Sequence, residues 1–168
     1  MSRTEIPAGG TNRTVAEHNL FDFRPYHPTR GNIFFVDSGV SASGNGLSPD
    51  GAVSTIDAAI NLCTASQEDT IYVLEGHAET ISTSTGLVMD VAGVNVVGLG
   101  RGTLRPKLTL SAAASTVSIT GASCRLANIH LFSSFTGGVT VGITVGAAAD
   151  GLVLDDIEMT ETAATEEW

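Results

Sequence analysis

The segment LANIHL at residues 126–131 returns 28 residues later as LDDIEM at 154–159. Leu126 matches Leu154, Asn128 matches Asp156, Ile129 matches Ile157 and Leu131 matches Met159; at the same offset Thr116-Val117 matches Thr144-Val145. VNVVGLG at 94–100 reads as an earlier, looser copy. A strand-rich repeat of about 20–30 residues means stacked coils, because one coil cannot bury its inner face alone whereas neighbours stacked on it can. The text between the copies agrees. From residue 70 onward, short Val/Ile/Leu/Thr runs such as TIYVLEG, KLTLS, STVSITG and VTVGITVG alternate with Gly, Ala, Ser and Asn, and none holds a helical apolar period. Only 5% of residues are aromatic and 19 are glycine, a mixture that favours short strands and tight turns over a helical bundle.

Two segments stand apart. In STIDAAINLCTAS, Ile56, Ala59, Ile60 and Cys63 fall at helical spacing, and Ser54 with Asp57 matches a capping box, so a helix is expected over about 55–65. Residues 1–31 read instead as an extended arm. Pro7, Pro25 and Pro28 remove backbone donors and push their neighbours toward extended conformations. Within the arm, LFDFRPYHPTR places Phe21, Phe23, Arg24, Tyr26 and Arg30 in a stretch with no periodic segment of its own to pack against. The remaining residues, 32–168, form one domain, starting with the strand NIFFVD.

The line from NIFFVD through the SGVSASGNGLSPDG loop, Thr55-Ile56-Asp57-Ala58-Ala59-Ile60, Asp69-Thr70-Ile71-Tyr72-Val73, Gly76 and Glu79-Thr80-Ile81 resembles the opening of right-handed parallel β-helix proteins of the pectate-lyase-like superfamily. The resemblance implies an all-β fold, a short right-handed parallel β-helix of four or so coils, with the helix capping the first coil. It says little about activity, since that superfamily includes lyases, hydrolases and structural virion proteins.

Several residue groups carry side chains with the chemistry of a site. Asp155, Asp156, Glu158 and Glu161 form an acidic cluster that would suit glycosidic acid/base chemistry or Ca²⁺, but no basic residue lies near it in sequence, and a solvated acidic face is the expectation. Glu75, His77 and Glu79 alternate along EGHAET, where a polar turn is expected. His130, between Ile129 and Leu131, is expected to face outward, and His18 and His27 have no ligand partners at metal spacing. Gly98, Gly100 and Gly102 lack the following helix of a dinucleotide site and read as a coil corner. Arg101, Arg105 and Lys107 form the one basic cluster of the body, either a solvated loop or a contact for an acidic partner. Neither a catalytic residue, a metal nor a cofactor is expected. Cys63 and Cys124 read as buried thiols of a protein made in a reducing compartment.

The arm holds four arginines against three acids, whereas residues 32–168 hold four basic residues against fifteen acids. Such a body repels a phosphate backbone, so no nucleic acid is expected as a partner. Residues 1–20 carry no apolar run of signal-peptide length and no segment reaches the ~18 apolar residues of a membrane span. Exposed aromatics and arginine are enriched where surfaces are buried on binding. The arm can therefore engage a partner, fold back along its own coils or wrap a sister subunit. At the other terminus Trp168 is placed in trimer or coil-end contacts. The resemblance to short virion β-helices, which are often trimeric, implies a non-enzymatic phage capsid decoration (cement) protein. It would be a homotrimer, made in the host cytoplasm, that binds the major capsid protein on the exterior of the virion. A tail-fibre, head-fibre or tailspike component that contacts or degrades host polysaccharide is the alternative.

Overall fold

The structure, a computed structural model, describes residues 31–162. Twelve short strands wind into a parallel β-solenoid of about three turns. The incoming strand β1 (Ile33–Val36) is followed by α1 (Ile56–Ile60) and then by three coils of three strands each. These are β2 (Thr70–Val73), β3 (Ala78–Ile81) and β4 (Leu87–Met89); β5 (Asn95–Gly98), β6 (Lys107–Leu110) and β7 (Val117–Ile119); and β8 (Arg125–Ala127), β9 (His130–Ser133) and β10 (Ile143–Val145). β11 (Val153–Asp155) and β12 (Glu158–Glu161) open a further coil. The count is about three turns, below the four or so expected, because the corners consume more residues than the strands.

The strands stack into three walls, ordered β1-β2-β5-β8-β11, β4-β7-β10 and β3-β6-β9-β12, and every pair is parallel. Alternation sends every second side chain inward, where like positions form ladders. In the first wall Phe34, Ile71, Val96, Leu126 and Leu154 lie in register. In the second sit Leu87, Val117 and Ile143. In the third, Leu108, Leu131 and Met159 form one ladder and Ile81, Leu110, Ser133 and Glu161 the next. Each fully buried Leu, Ile or Val contributes roughly 1.5–3 kcal/mol relative to exposure, and these three types make up most of the core.

The 28-residue offset holds where the walls meet. Leu126 pairs with Leu154 and Leu131 with Met159, and Asn128 and Asp156 both adopt left-handed backbone, φ 53° and 50°. In the β7–β10 wall the offset fails: Val117 pairs with Ile143, not with Val145. The slip is two residues, set by corners of different length, and a two-residue slip leaves the inward face unchanged. Thr116 and Thr144 still meet, with their hydroxyls 3.0 Å apart. At the corner shared by β5 and β8, a Cβ on Gly98 would collide with the carbonyl oxygen of Asn128, and the Asn128 side chain donates to the carbonyls of Gly98 and Gly100. A side chain at 98 would break this corner.

The helix is shorter than the expected 55–65. Thr55, not Ser54, is its cap, its hydroxyl accepting from the Ala58 N–H at 3.2 Å. Asp57 is drawn off the helix start to accept the Val88 N–H at 3.1 Å. Ile56, Ala59 and Ile60 are buried while Cys63 is only partly so, so α1 covers the first coil as the amphipathic pattern requires. Beside it, the fully buried Asp69 accepts the Asn32 N–H at 2.6 Å and the Thr64 N–H at 2.7 Å. One carboxylate thus ties the entry of β1 to the exit of α1.

Candidate functional site

The arm residues Phe21, Phe23, Arg24, Tyr26 and Arg30, and Trp168 at the other terminus, lie outside the described residues, as do His18 and His27. Within them, two surfaces combine side chains able to bind something: the open end of the coil stack, and a groove along the β3-β6-β9-β12 wall.

The open end follows from the ladders. Leu126 and Leu131 are fully buried, yet Leu154 and Met159, one coil further at the same inward positions, are 43% and 45% exposed. Val145 and Val153 at the same end are also exposed. Here strand edges and core lining face outward together, a surface that natural proteins ordinarily cover or blunt. One blunting device is present. Glu161 occupies an inward position directly after Ser133, whose buried Oγ has no hydrogen-bond partner among the described residues.

The groove, about 480 Å³, is lined by His77, Thr103, Arg105, Lys107, His130 and Glu158 among others. It corrects the view of the acids as lacking basic neighbours. Arg105 reaches from the second coil to Asp156 at 3.1 Å and Glu158 at 3.7 Å, and Arg125 binds Asp155 at 2.5 Å. Sequence distance concealed these pairs, because stacking brings residues 30 to 53 positions apart side by side. Two members of the basic cluster are likewise engaged: Arg105 by acids, and Lys107, whose ammonium lies 5.3 Å from the centre of the Phe132 ring. His130 does face outward, its Nε2 2.6 Å from the Thr160 hydroxyl. Burial lowers its pKa, Glu158 opposes that shift, and Lys107 and Arg105 reinforce it.

His77 departs most from expectation. A turn does precede it, with the His77 N–H donating to the Leu74 carbonyl and Gly76 at φ 75°. The imidazole, however, is buried, not a solvated corner side chain. Its Nδ1 accepts the Ser38 N–H at 2.9 Å, which leaves Nε2 as the protonated nitrogen, 3.3 Å from Glu79 Oε2. Glu79 also accepts the Ile56 N–H at the start of α1, and the Ser38 hydroxyl accepts the Ala78 N–H. The three groups form a latch joining the β1 exit, the first coil and the helix. Glu75 lies apart, on a second depression with Asp37 and Gly100.

No group of three or more His, Cys, Asp or Glu side chains among the described residues is arranged to hold a metal ion, and no helix among them is long and apolar enough to cross a membrane. Cys63 and Cys124 are both free. Burial pushes the Cys63 thiol up to about 12, with Asp69 adding to it, and burial also raises Cys124; both are poor nucleophiles at neutral pH. Comparison of the chain with protein-family models, curated proteins and solved structures returns no match.

Proposed function

We propose that this chain is a non-enzymatic decoration (cement) protein of a bacteriophage capsid. It binds the major capsid protein on the virion exterior through its N-terminal arm, as a homotrimer. The observation that carries the proposal is the exposed end of the coil stack, where Leu154 and Met159 stand at core positions with no coil above them among the described residues. A solenoid left open in this way suits a subunit whose final burial comes from an assembly. The acidic body offers little to nucleic acid, while the arm supplies Phe21, Phe23, Arg24, Tyr26 and Arg30 as anchors of the kind that dominate binding energy. Membership of the pectate-lyase-like superfamily, as a virion structural branch, belongs to the same proposal.

The test is cosedimentation with expanded phage shells, using the full chain and a chain lacking residues 1–31. The shortened protein is expected to keep a β-rich circular-dichroism spectrum and to lose the shells. Undiminished binding without the arm would refute the assignment. The groove favours a second reading, a fibre or tailspike part that contacts host polysaccharide, because it sets Glu158 beside His130, whose ring meets that of Phe132. That reading predicts saturable binding to host surface polysaccharide that weakens in Glu158→Gln.

A further inference from the structure

We propose that in the unbound protein residues 20–24 of the chain, tethered through residues 25–30, dock on the open end of its own coil stack and supply a layer that this end lacks among the described residues. The end presents an apolar floor of Leu154, Ile157 and Met159. The same coil carries Asp150, Asp155, Asp156, Glu158 and Glu161; Arg105 and Arg125 pair with three of these acids, and Arg101 and Lys107 line depressions beside them. An occupant that complements this surface is extended, bears apolar side chains at alternate positions, and offers a basic side chain to the acids.

LFDFR, residues 20–24, has that pattern. On a strand Phe21 and Phe23 share one face while Asp22 and Arg24 share the other. Laid along the open edge, the two rings cover the floor and Arg24 lies on the outer face among the acids. Pro25 has no N–H to donate, so it ends the added strand. Adding a strand to an unpaired edge is an established mode of peptide binding, with main-chain hydrogen bonds giving affinity and alternate side chains giving specificity.

Reach permits docking in cis. A strand added beyond β11 lies five strand spacings from β1, a distance of about 24 Å at ~4.8 Å per spacing. The nine residues from Phe23 to Asn32 span up to about 30 Å. Tethering also gives the segment a local concentration in the millimolar range, well above that of a separate chain. Residues 163–168 follow β12 in the sequence, but AATEEW would add two acids to an acidic rim. Charge therefore favours the arm over that segment. The inference is tested without a capsid shell, so it stands or falls apart from the decoration reading. If both hold, a shell must take the arm from the coil end.

The experiment uses the full chain with Phe23→benzoylphenylalanine, irradiated and mapped by mass spectrometry. Cross-links are expected within residues 152–162 in the species of single-chain mass. Their yield should fall about tenfold in Leu154→Lys/Met159→Lys, the change expected when an apolar anchor is lost, and should decline with added salt. Both substituted positions are exposed, so the fold survives, and circular dichroism checks this. Hydrogen exchange gives an independent reading: the β12 amides should exchange faster in Phe21→Ala/Phe23→Ala. Cross-links on the walls of the first two coils, cross-linked dimers or trimers, or an unchanged pattern in the double-lysine variant would each overturn the proposal.

Discussion

The two ends of the coil stack are built from the same kind of ladder and finished in different ways. At the first coil the inward carboxylate, Glu79, receives the Ile56 N–H and lies against His77, and α1 closes the core with Ile56, Ala59 and Ile60. At the last coil the inward carboxylate is Glu161, and neighbouring Leu154 and Met159 remain exposed. An identical inward position is thus worth a buried Leu in one coil and a half-wet one in the next. Position in the ladder does not fix a residue's contribution. The presence of a further layer does.

The sharpest way to break that comparison is a matched pair of truncations. Leu126→Ala should lower unfolding stability by about 2–5 kcal/mol, through lost transfer energy plus a cavity. Leu154→Ala, one coil later in the same ladder, should cost under about half as much. Urea denaturation of both variants reads the difference, and equal losses would mean that the last coil is as well covered as the third. A somewhat smaller effect is expected from Asp69→Ala, which leaves the Asn32 and Thr64 N–H groups without their acceptor. The cost is about 2–3 kcal/mol, and early proteolysis near residue 31 would report it.

The smallest effect concerns pH. His130 has a folded-state pKa below its unfolded value, chiefly through burial. The unfolded state therefore binds the proton more readily, and the penalty is absent above the unfolded pKa. It grows as pH falls from about 6.5 toward the folded value and levels off below that. A proton NMR titration of His130 should show a midpoint under 6.5, and His130→Gln should flatten the acid limb of the stability curve.

Much of the fold was legible because strands and coils declare themselves locally. The echo of Leu126, Asn128, Ile129 and Leu131 at 154–159 marks one stacked register correctly, and Ile56, Ala59 and Ile60 mark the capping face. What could not be read is whatever coils bring together from afar. Arg105 meets acids 51 and 53 residues away, and His77 meets Ser38 at a separation of 39. Nothing in EGHAET distinguishes a solvated turn from a buried latch, since the partners that bury it lie outside the window. Asp69 likewise resembles an ordinary acid leading out of a helix until Asn32 and Thr64 converge on it. Of the candidate site, the arm was named from composition, whereas the exposed coil end required knowing that no further strand follows Glu161 among the described residues.

The parallel register has a last consequence, for how the chain assembles in time. Past β1, every strand pairs only with strands one coil before or after it, so each new layer closes a loop of similar length at a similar entropic cost. Growth can then proceed as a zipper from a nucleus. During synthesis, β1, α1 and the first coil emerge first with their closing helix already in hand. Each later coil finds a finished template waiting, and opening under stress would run backward from the rim at β12.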